Sequence, residues 1–342
     1  MKFYQNDHSK ETLWRGIILF GKNVASYKFA LAESLIALAA KEKNFVSLEE
    51  IAPLYSSAIC RHLTKGARQG TFQSGKLLTA CEKFNNGDIT QGELTDNTIR
   101  YGFNHVIDAF HIVNQSEVPT RFFTDERKLS KGIMLTDELL SLGKSYQFEN
   151  LSHELEARWR LVETAWTLGV PARSLQLSYT QNSDEIIYKD NTRRINVSSC
   201  RDALNGYQKG RCFYCNKFIA VTSGSPYLCD VDHFFPEKLK KDPEKFGHLN
   251  LDGVWNLVLS CKCCNRGPDG KLARRPSKNL LEKLHNRNEY YICSHHPIKE
   301  TIKNQTGDTE EARIRFLQEV FDNAAILNKL WEPNGIHADD TI

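Results

Sequence analysis

No stretch of this 342-residue chain is apolar for long enough to cross a bilayer. The best candidate, Val24 to Ala40, is broken by Lys28 and Glu33, so it predicts a core helix and no membrane contact. No secretory leader is visible, which argues against export. No repeat at solenoid spacing and no low-complexity tract recurs, which excludes repeat arrays and linker-like chains. Nor is there a large charge excess of one sign: the formal net charge is +3. With 40% hydrophobic and 25% charged residues, the composition excludes disordered and fibrous classes. The chain is long enough for two or three domains with a sizeable core.

Pairing is also absent from most of the cysteines. Ten cysteines without an export signal predict a reducing, cytoplasmic setting in which thiols bind metal or sit buried. Cys60, Cys81, Cys200, Cys229, Cys263 and Cys293 follow no spacing pattern and are expected as small buried hydrophobes. The other four form two Cys-x-x-Cys pairs, Cys212/Cys215 and Cys261/Cys264. Four thiolates in two pairs can close a tetrahedral zinc site. The 45 residues between the pairs exceed a simple zinc ribbon, so zinc would fasten both ends of a further structural unit. A thioredoxin-like redox role is the rival, but no βαβ pattern surrounds the motif.

Charge is unevenly distributed. Residues 190–300 hold 19 Lys+Arg against 12 Asp+Glu, a local +7 that leaves −4 for the remainder. A basic region of this kind suits a polyanion, although a solvated surface would look the same.

Residues 1–172 read as mainly α-helical. Val24–Lys43, Leu54–Ala67, Lys76–Phe84, Asn97–Val113 and Leu151–Leu168 carry apolar residues at three- and four-residue spacing. Asn23 and Pro53 are the expected start signals, and Gly169 to Pro171 the final stop. Arg121 to Leu142 reads as an extended insert followed by a short helix. After Pro171 come β-prone runs at Leu175–Tyr179, Ile186–Tyr188 and Ile195–Val197, expected as a hairpin. A helix over Ser198–Gly206 feeds the first cysteine pair, and Ser277–Arg287 is expected to be helical. Residues 301–342 are expected as a helix over Glu310–Leu330 packing back on the body, then a loose tail from Pro333. The fold class predicted is α+β. Gly70 to Lys76 has phosphate-loop spacing, but Leu77 follows the lysine and a helix, not a strand, precedes it; a helix–helix turn is expected.

The chemistry-bearing residues lie between the cysteine pairs. Leu228 to Pro236 is read as a short strand ending in Asp232-His233, and Trp255 to Leu259 as a second strand. His233 titrates near neutrality and can take a proton from water. Asp232, its neighbour on a strand, points to the opposite face, so both meet one phosphate only if the chain bends, for which Pro236 is suited. Asn256 and Asn265 complete the set, the latter directly after Cys264.

These residues resemble the HNH endonuclease family, with its ββα-metal fold, over about residues 205–285; the domain is expected to span 173–300. The resemblance implies His233 as general base, Asp232 and Asn265 as ligands of one catalytic ion, and Asn256 holding the loop that carries the histidine. Asn265 stands where many members have His, as it does in the HNH domain of the RNA-guided CRISPR effector. Its amide oxygen favours Mg2+ or Mn2+. The implied reaction is hydrolysis of DNA phosphodiesters to 5′-phosphate and 3′-hydroxyl ends. Lys238, Lys240 and Lys241 on one side and Arg274, Arg275 and Lys278 on the other are candidate phosphate clamps; Arg266 and Lys271 are candidates to neutralise developing charge. The helical front is similar in architecture to anti-phage defence or restriction components, in which an ATPase partner controls the nuclease. Two alternatives stay open: a non-catalytic zinc-stapled module binding nucleic acid or a partner, and an RNA-directed nuclease.

Overall fold

The computed structural model describes residues 9–21, 24–41, 43–65, 68–71, 74–113, 115–145, 147–169, 177–180, 184–189, 194–293, 298–327 and 329–333. The chain divides into two compact units, Lys2–Val170 and Pro171–Ile342. Helix and small sheets are mixed in an α+β arrangement. Among the described residues no helix is long and apolar enough to cross a membrane.

The first unit is built on helices α1 (Lys10–Phe20), α2 (Tyr27–Ala39), α3 (Leu48–Leu63), α4 (Lys76–Asn85) and α5 (Gln91–Tyr101). Strand β1 (Phe45–Ser47) precedes α3. The short α6 (Val106–Ala109) and strands β2 (Ile112–Val113), β3 (Ser116–Glu117) and β4 (Phe123–Asp125) follow α5. Then come α7 (Arg127–Ser130), β5 (Gly132–Leu135), α8 (Asp137–Gly143) and the long α9 (Phe148–Leu168). β1, β5 and β4 form a three-stranded antiparallel sheet with β5 central.

Two differences from the periodicity reading have local causes. α3 begins at Leu48, six residues before the expected start, because Ser47 and Glu50 close a reciprocal capping box that Pro53 does not disturb. The run expected as one helix over Asn97–Val113 breaks at Gly102, and its apolar residues are divided among α5, α6 and β2. Gly102 is held by packing: a side chain there would meet the Thr98 carbonyl at 2.7 Å. The Asn23 start signal lies outside the described residues. So do residues 72 and 73 of the glycine-bearing segment, which joins α3 to α4.

The core of this unit contains a polar seam. Arg15 lies 2.7 Å from Glu154, with both side chains buried. His62 stacks on Trp159 with ring centroids 3.7 Å apart, and its two ring nitrogens reach Glu163 and Glu156. The seam ties α1 and α3 to α9, which pure apolar packing would leave free to slide.

The second unit opens with an antiparallel meander of β6 (Leu177–Thr180), β7 (Glu185–Lys189) and β8 (Arg194–Ser199), one strand more than a hairpin. Helix α10 (Cys200–Gln208) ends at Lys209 and Gly210, both left-handed, which turn the chain into the first cysteine pair. β9 (Asp230–His233) pairs antiparallel with β10 (Leu257–Ser260). Between them lie a 3-10 turn at Glu237–Lys241, the short α11 (Pro243–Phe246) and a 3-10 turn at Val254–Asn256. The second apolar run therefore enters the sheet only at Leu257. After β10 come α12 (Lys262–Arg266), β11 (Arg275–Pro276), α13 (Lys278–Cys293), α14 (Lys299–Thr306) and α15 (Glu310–Asn323). The run to Leu330 is not one helix: after α15 it tightens into a 3-10 turn and ends as β12 (Leu330–Trp331), parallel to β11. Pro333 is described, and the remainder of the expected tail lies outside the described residues.

α13 and α10 brace the β9–β10 pair. Buried Arg287 donates to the carbonyls of Val254 and Trp255, each at 3.0 Å, and Asn288 donates to Trp255. Gln208 bonds Leu259 through both its amide groups.

Candidate metal centre and active site

Cys212 sits in a tight turn, its N–H donating to the Lys217 carbonyl and its carbonyl accepting from Asn216. Phe213 donates to Leu259, which fastens this turn to β10. Cys261 is the N-cap of α12, and its Sγ accepts from the Cys264 N–H at 3.4 Å. Its own N–H points at Cys212 Sγ, 3.3 Å away. The four sulfurs of Cys212, Cys215, Cys261 and Cys264 lie within 4.8 Å of one another. A tetrahedron with metal–sulfur bonds of about 2.3 Å has sulfur–sulfur edges of about 3.8 Å. Cys215 and Cys261 are 3.7 Å apart, so the four thiols fit a structural metal such as zinc. Hydrogen bonding to Cys212 holds Cys215 down at about 7 and also lowers Cys261, while hydrogen bonding to the neighbouring thiols drives Cys212 and Cys264 up. A bound cation removes that conflict by stabilising all four thiolates. Exposed Cys263 stays outside the cluster.

β9 distributes its side chains by alternation. Asp230 and Asp232 share one face. Asp232 is buried and accepts from the Tyr214 hydroxyl at 2.6 Å; Lys271 Nζ is 3.3 Å from its other oxygen. Burial pushes Asp232 up and Lys271 down, each opposed by the charge of the other. Asp230, more open, accepts from the Asn265 amide at 3.1 Å and from Arg266. Asn265 thus reaches β9 at Asp230, and no hydrogen bond joins it to Asp232 among the described residues.

His233 faces the other way. Its Nε2 lies 3.0 Å from Asp252 Oδ1, and its ring meets the Tyr179 ring edge-on at 5.9 Å. Asp232 and His233 are adjacent in sequence, yet their side chains are held by separate partners. Asn256 is fully buried. Its Oδ1 accepts from the Phe235 N–H at 2.8 Å, and its Nδ2 donates to the carbonyls of Phe235 at 3.0 Å and Leu251 at 2.8 Å. These bonds fix the turn directly after His233, and the Asn256 carbonyl accepts from Phe234 at 2.7 Å.

The basic residues divide by burial. Lys238, Lys241, Arg266 and Lys278 are exposed. Lys271, expected beside a polyanion, is instead 0% exposed, with its ammonium donating to the carbonyls of His233 and Leu272. It is an internal counter-ion for Asp232. Arg275, expected as a clamp, lies over the Phe321 ring and donates to the Phe321 carbonyl, so it locks α15. Arg274 is half-buried and donates to the carbonyls of Lys271 and Gly270. Lys240 is exposed but paired with Glu237 and Asp252.

Three residues at this site escape a reading of the motif. Asp230 carries a usable signal, since the Asp-x-Asp spacing on a strand places it beside Asp232. Asp252 and Glu237 gather within 4.8 Å of His233 from loops whose return no periodicity announces. Comparison with protein-family models, with curated proteins and with solved structures finds no match to this chain.

Proposed function

We propose that the second unit is an HNH-type, metal-dependent endonuclease acting on DNA, with structural zinc on Cys212, Cys215, Cys261 and Cys264. One observation carries the reading: a thiol clasp joins the two ends of a segment on which Asp232 and His233 adjoin, Asn256 holds the turn after the histidine, and Asn265 bonds the same strand at Asp230.

His233 serves as the base that takes a proton from the attacking water. Asp232 and Asn265 would hold a Mg2+ or Mn2+ ion, which supplies charge neutralisation at the scissile phosphate. Their donor atoms are hard oxygens, and Asp230 adds a second carboxylate on the same strand face. Asp232 already serves Tyr214 and Lys271, but an ionised carboxylate has about four acceptor positions, so the set still fits. Asn256 keeps the histidine's turn in register. Lys238, Lys241 and Lys278 are exposed residues that can meet phosphates, as can Arg266 if it leaves Asp230, and phosphate contacts position a substrate without reading its sequence.

The second reading is a non-catalytic zinc-stapled binding module, favoured by one observation: both Asp232 oxygens have internal partners. Incubation of the full chain with supercoiled plasmid and either Mg2+ or Mn2+ separates the two. Nicking by wild type and its loss in His233→Ala support the nuclease. Metal-independent, salt-sensitive binding with no cutting, unchanged in His233→Ala, supports the module. Matched DNA and RNA duplexes decide the substrate.

A further inference from the structure

The partners of His233 go beyond the motif residues. A neutral imidazole offers one donor and one acceptor nitrogen, and which is which depends on what each nitrogen faces. Nε2 faces Asp252 Oδ1 at 3.0 Å. An ionised carboxylate only accepts, so Nε2 must carry the hydrogen. No hydrogen bond reaches Nδ1 among the described residues, and in this tautomer Nδ1 keeps its lone pair.

Asp252 does not depend on His233 for its own placement. Lys240 Nζ contacts both of its oxygens, at 2.7 and 2.9 Å, and Glu237 at 2.7 Å. Two loops that leave the sheet, at 237–241 and 252, are thereby drawn together around the imidazole. Burial pushes Asp252 up, but the hydrogen bonds from Lys240 and His233 outweigh it and keep the carboxylate ionised. The Tyr179 ring closes a second side of the pocket. The His233 backbone is secured separately, by Lys271 on its carbonyl and by Asn256 on the residues after it.

We propose that Asp252 is a positioning residue for His233, fixing the ring in the Nε2–H tautomer so that Nδ1 is the proton-accepting atom, with Lys240 holding Asp252 in place. The inference rests on the reading of His233 as general base. Lys240 then acts through Asp252 and is not a phosphate clamp. Hydrogen bonding to a carboxylate aligns the ring and stabilises the imidazolium that forms when the proton is taken.

The test uses the full chain as wild type, Asp252→Ala, Asp252→Asn, Lys240→Met and His233→Ala, with two readouts. The first is the nitrogen chemical shift pattern of the His233 ring, assigned by its disappearance in His233→Ala. The second is kcat and KM for plasmid cleavage. Asp252 is 37% exposed, so its replacement leaves the core intact; a melting curve checks this. The expected result is a single Nε2–H form in wild type and mixed tautomers in Asp252→Ala. A kcat about 10- to 100-fold lower, with KM within about twofold, accompanies it. Asp252→Asn, whose amide oxygen can still accept, loses less. Lys240→Met lowers kcat and not apparent affinity.

Wild-type tautomer and wild-type kcat in Asp252→Ala would overturn the proposal while leaving the nuclease intact. So would a Lys240→Met variant that changes only KM and its salt dependence. A wild-type protein that cuts nothing with any metal removes the nuclease reading. The ring shifts then still decide Asp252: persistence of the same tautomer without it overturns the proposal, and its loss upholds the positioning role.

Discussion

Replacing Asn256 by alanine tests how much of the site is built by one buried amide. The side chain is fully enclosed and makes three hydrogen bonds, one accepted from Phe235 N–H and two donated to the carbonyls of Phe235 and Leu251. Each bond contributes about 1 kcal/mol net, and each backbone group left buried without a partner costs about 1–3 kcal/mol. Some orphaned groups regain a partner if water enters the space left by the amide, so Asn256→Ala should destabilise this unit by about 3–5 kcal/mol. Asn256→Asp is the sharper control. It keeps the acceptor for Phe235 N–H but sets oxygen against two carbonyls, so it should be no more stable than the alanine variant. Hydrogen exchange of the Phe234 and Phe235 amides, read beside urea denaturation, localises the effect and keeps unfolding of residues 2–170 from masking it. Protection at the Phe235 amide should collapse in the alanine variant, where its acceptor is gone, while amides of β10 retain theirs. An alanine variant within about 1 kcal/mol of wild type, or an aspartate variant as stable as wild type, would refute the reasoning.

Three further outcomes are expected. Metal analysis should find one zinc per chain, lost in Cys264→Ser with a lower melting temperature, whereas Cys263→Ser, outside the cluster, changes neither. Lys271→Met strands a buried carboxylate and should cost about 3–5 kcal/mol in denaturant titration, without altering the salt slope of DNA binding, because its ammonium faces inward. In the first unit, burial lowers His62 but its hydrogen bonds to Glu156 and Glu163 carry it above the usual histidine range. Burial likewise raises Glu156, but His62 outweighs it and holds it at about 2. A raised histidine stabilises fully below about 6.5 and loses that contribution as pH rises through its folded value; a depressed carboxylate stabilises above about 4.5 and loses it as pH falls towards its folded value. The melting-temperature gap between wild type and His62→Gln should therefore be widest between those limits and shrink on both sides; a gap independent of pH would count against the pair.

Legibility followed the range of the interactions. The cysteine pairs were readable because their spacing encodes a local turn, and the structure brings the four sulfurs together. Helices with a clean apolar face, such as α4 and α9, were readable for the same reason. Pro53 resembles a helix start, but the Ser47–Glu50 capping box begins α3 at Leu48. The single run over Asn97–Val113 misleads because helical spacing does not reveal that Gly102 caps α5 and that the apolar residues beyond it belong to α6 and β2. Lys271 and Arg275 were misplaced by a rule that sends charge to the surface, which fails when a carboxylate or an aromatic ring waits inside. Asp252 and Glu237 carry no periodic signal: they matter only because two loops return to the same imidazole.

The division of β9 into two faces explains why the motif has two adjacent residues of different chemistry. Alternation sends Asp232 inward, where Tyr214 and Lys271 hold it, and sends His233 to the loop side, where Asp252 holds it. A shift of one residue in the β9–β10 register would exchange the two sets, placing the imidazole against Lys271 and the carboxylate against Asp252. The second exchanged pairing sets two carboxylates together, so the wrong register is penalised electrostatically as well as by packing. The correct register is pinned at one end by Asn256 across from Phe235 and at the other by the Cys261 turn beyond Ser260. The thiol clasp and the buried amide therefore secure the same alignment from opposite ends of a four-residue pairing. Loosening either should blur the separation between the surroundings of His233 and those of Asp232.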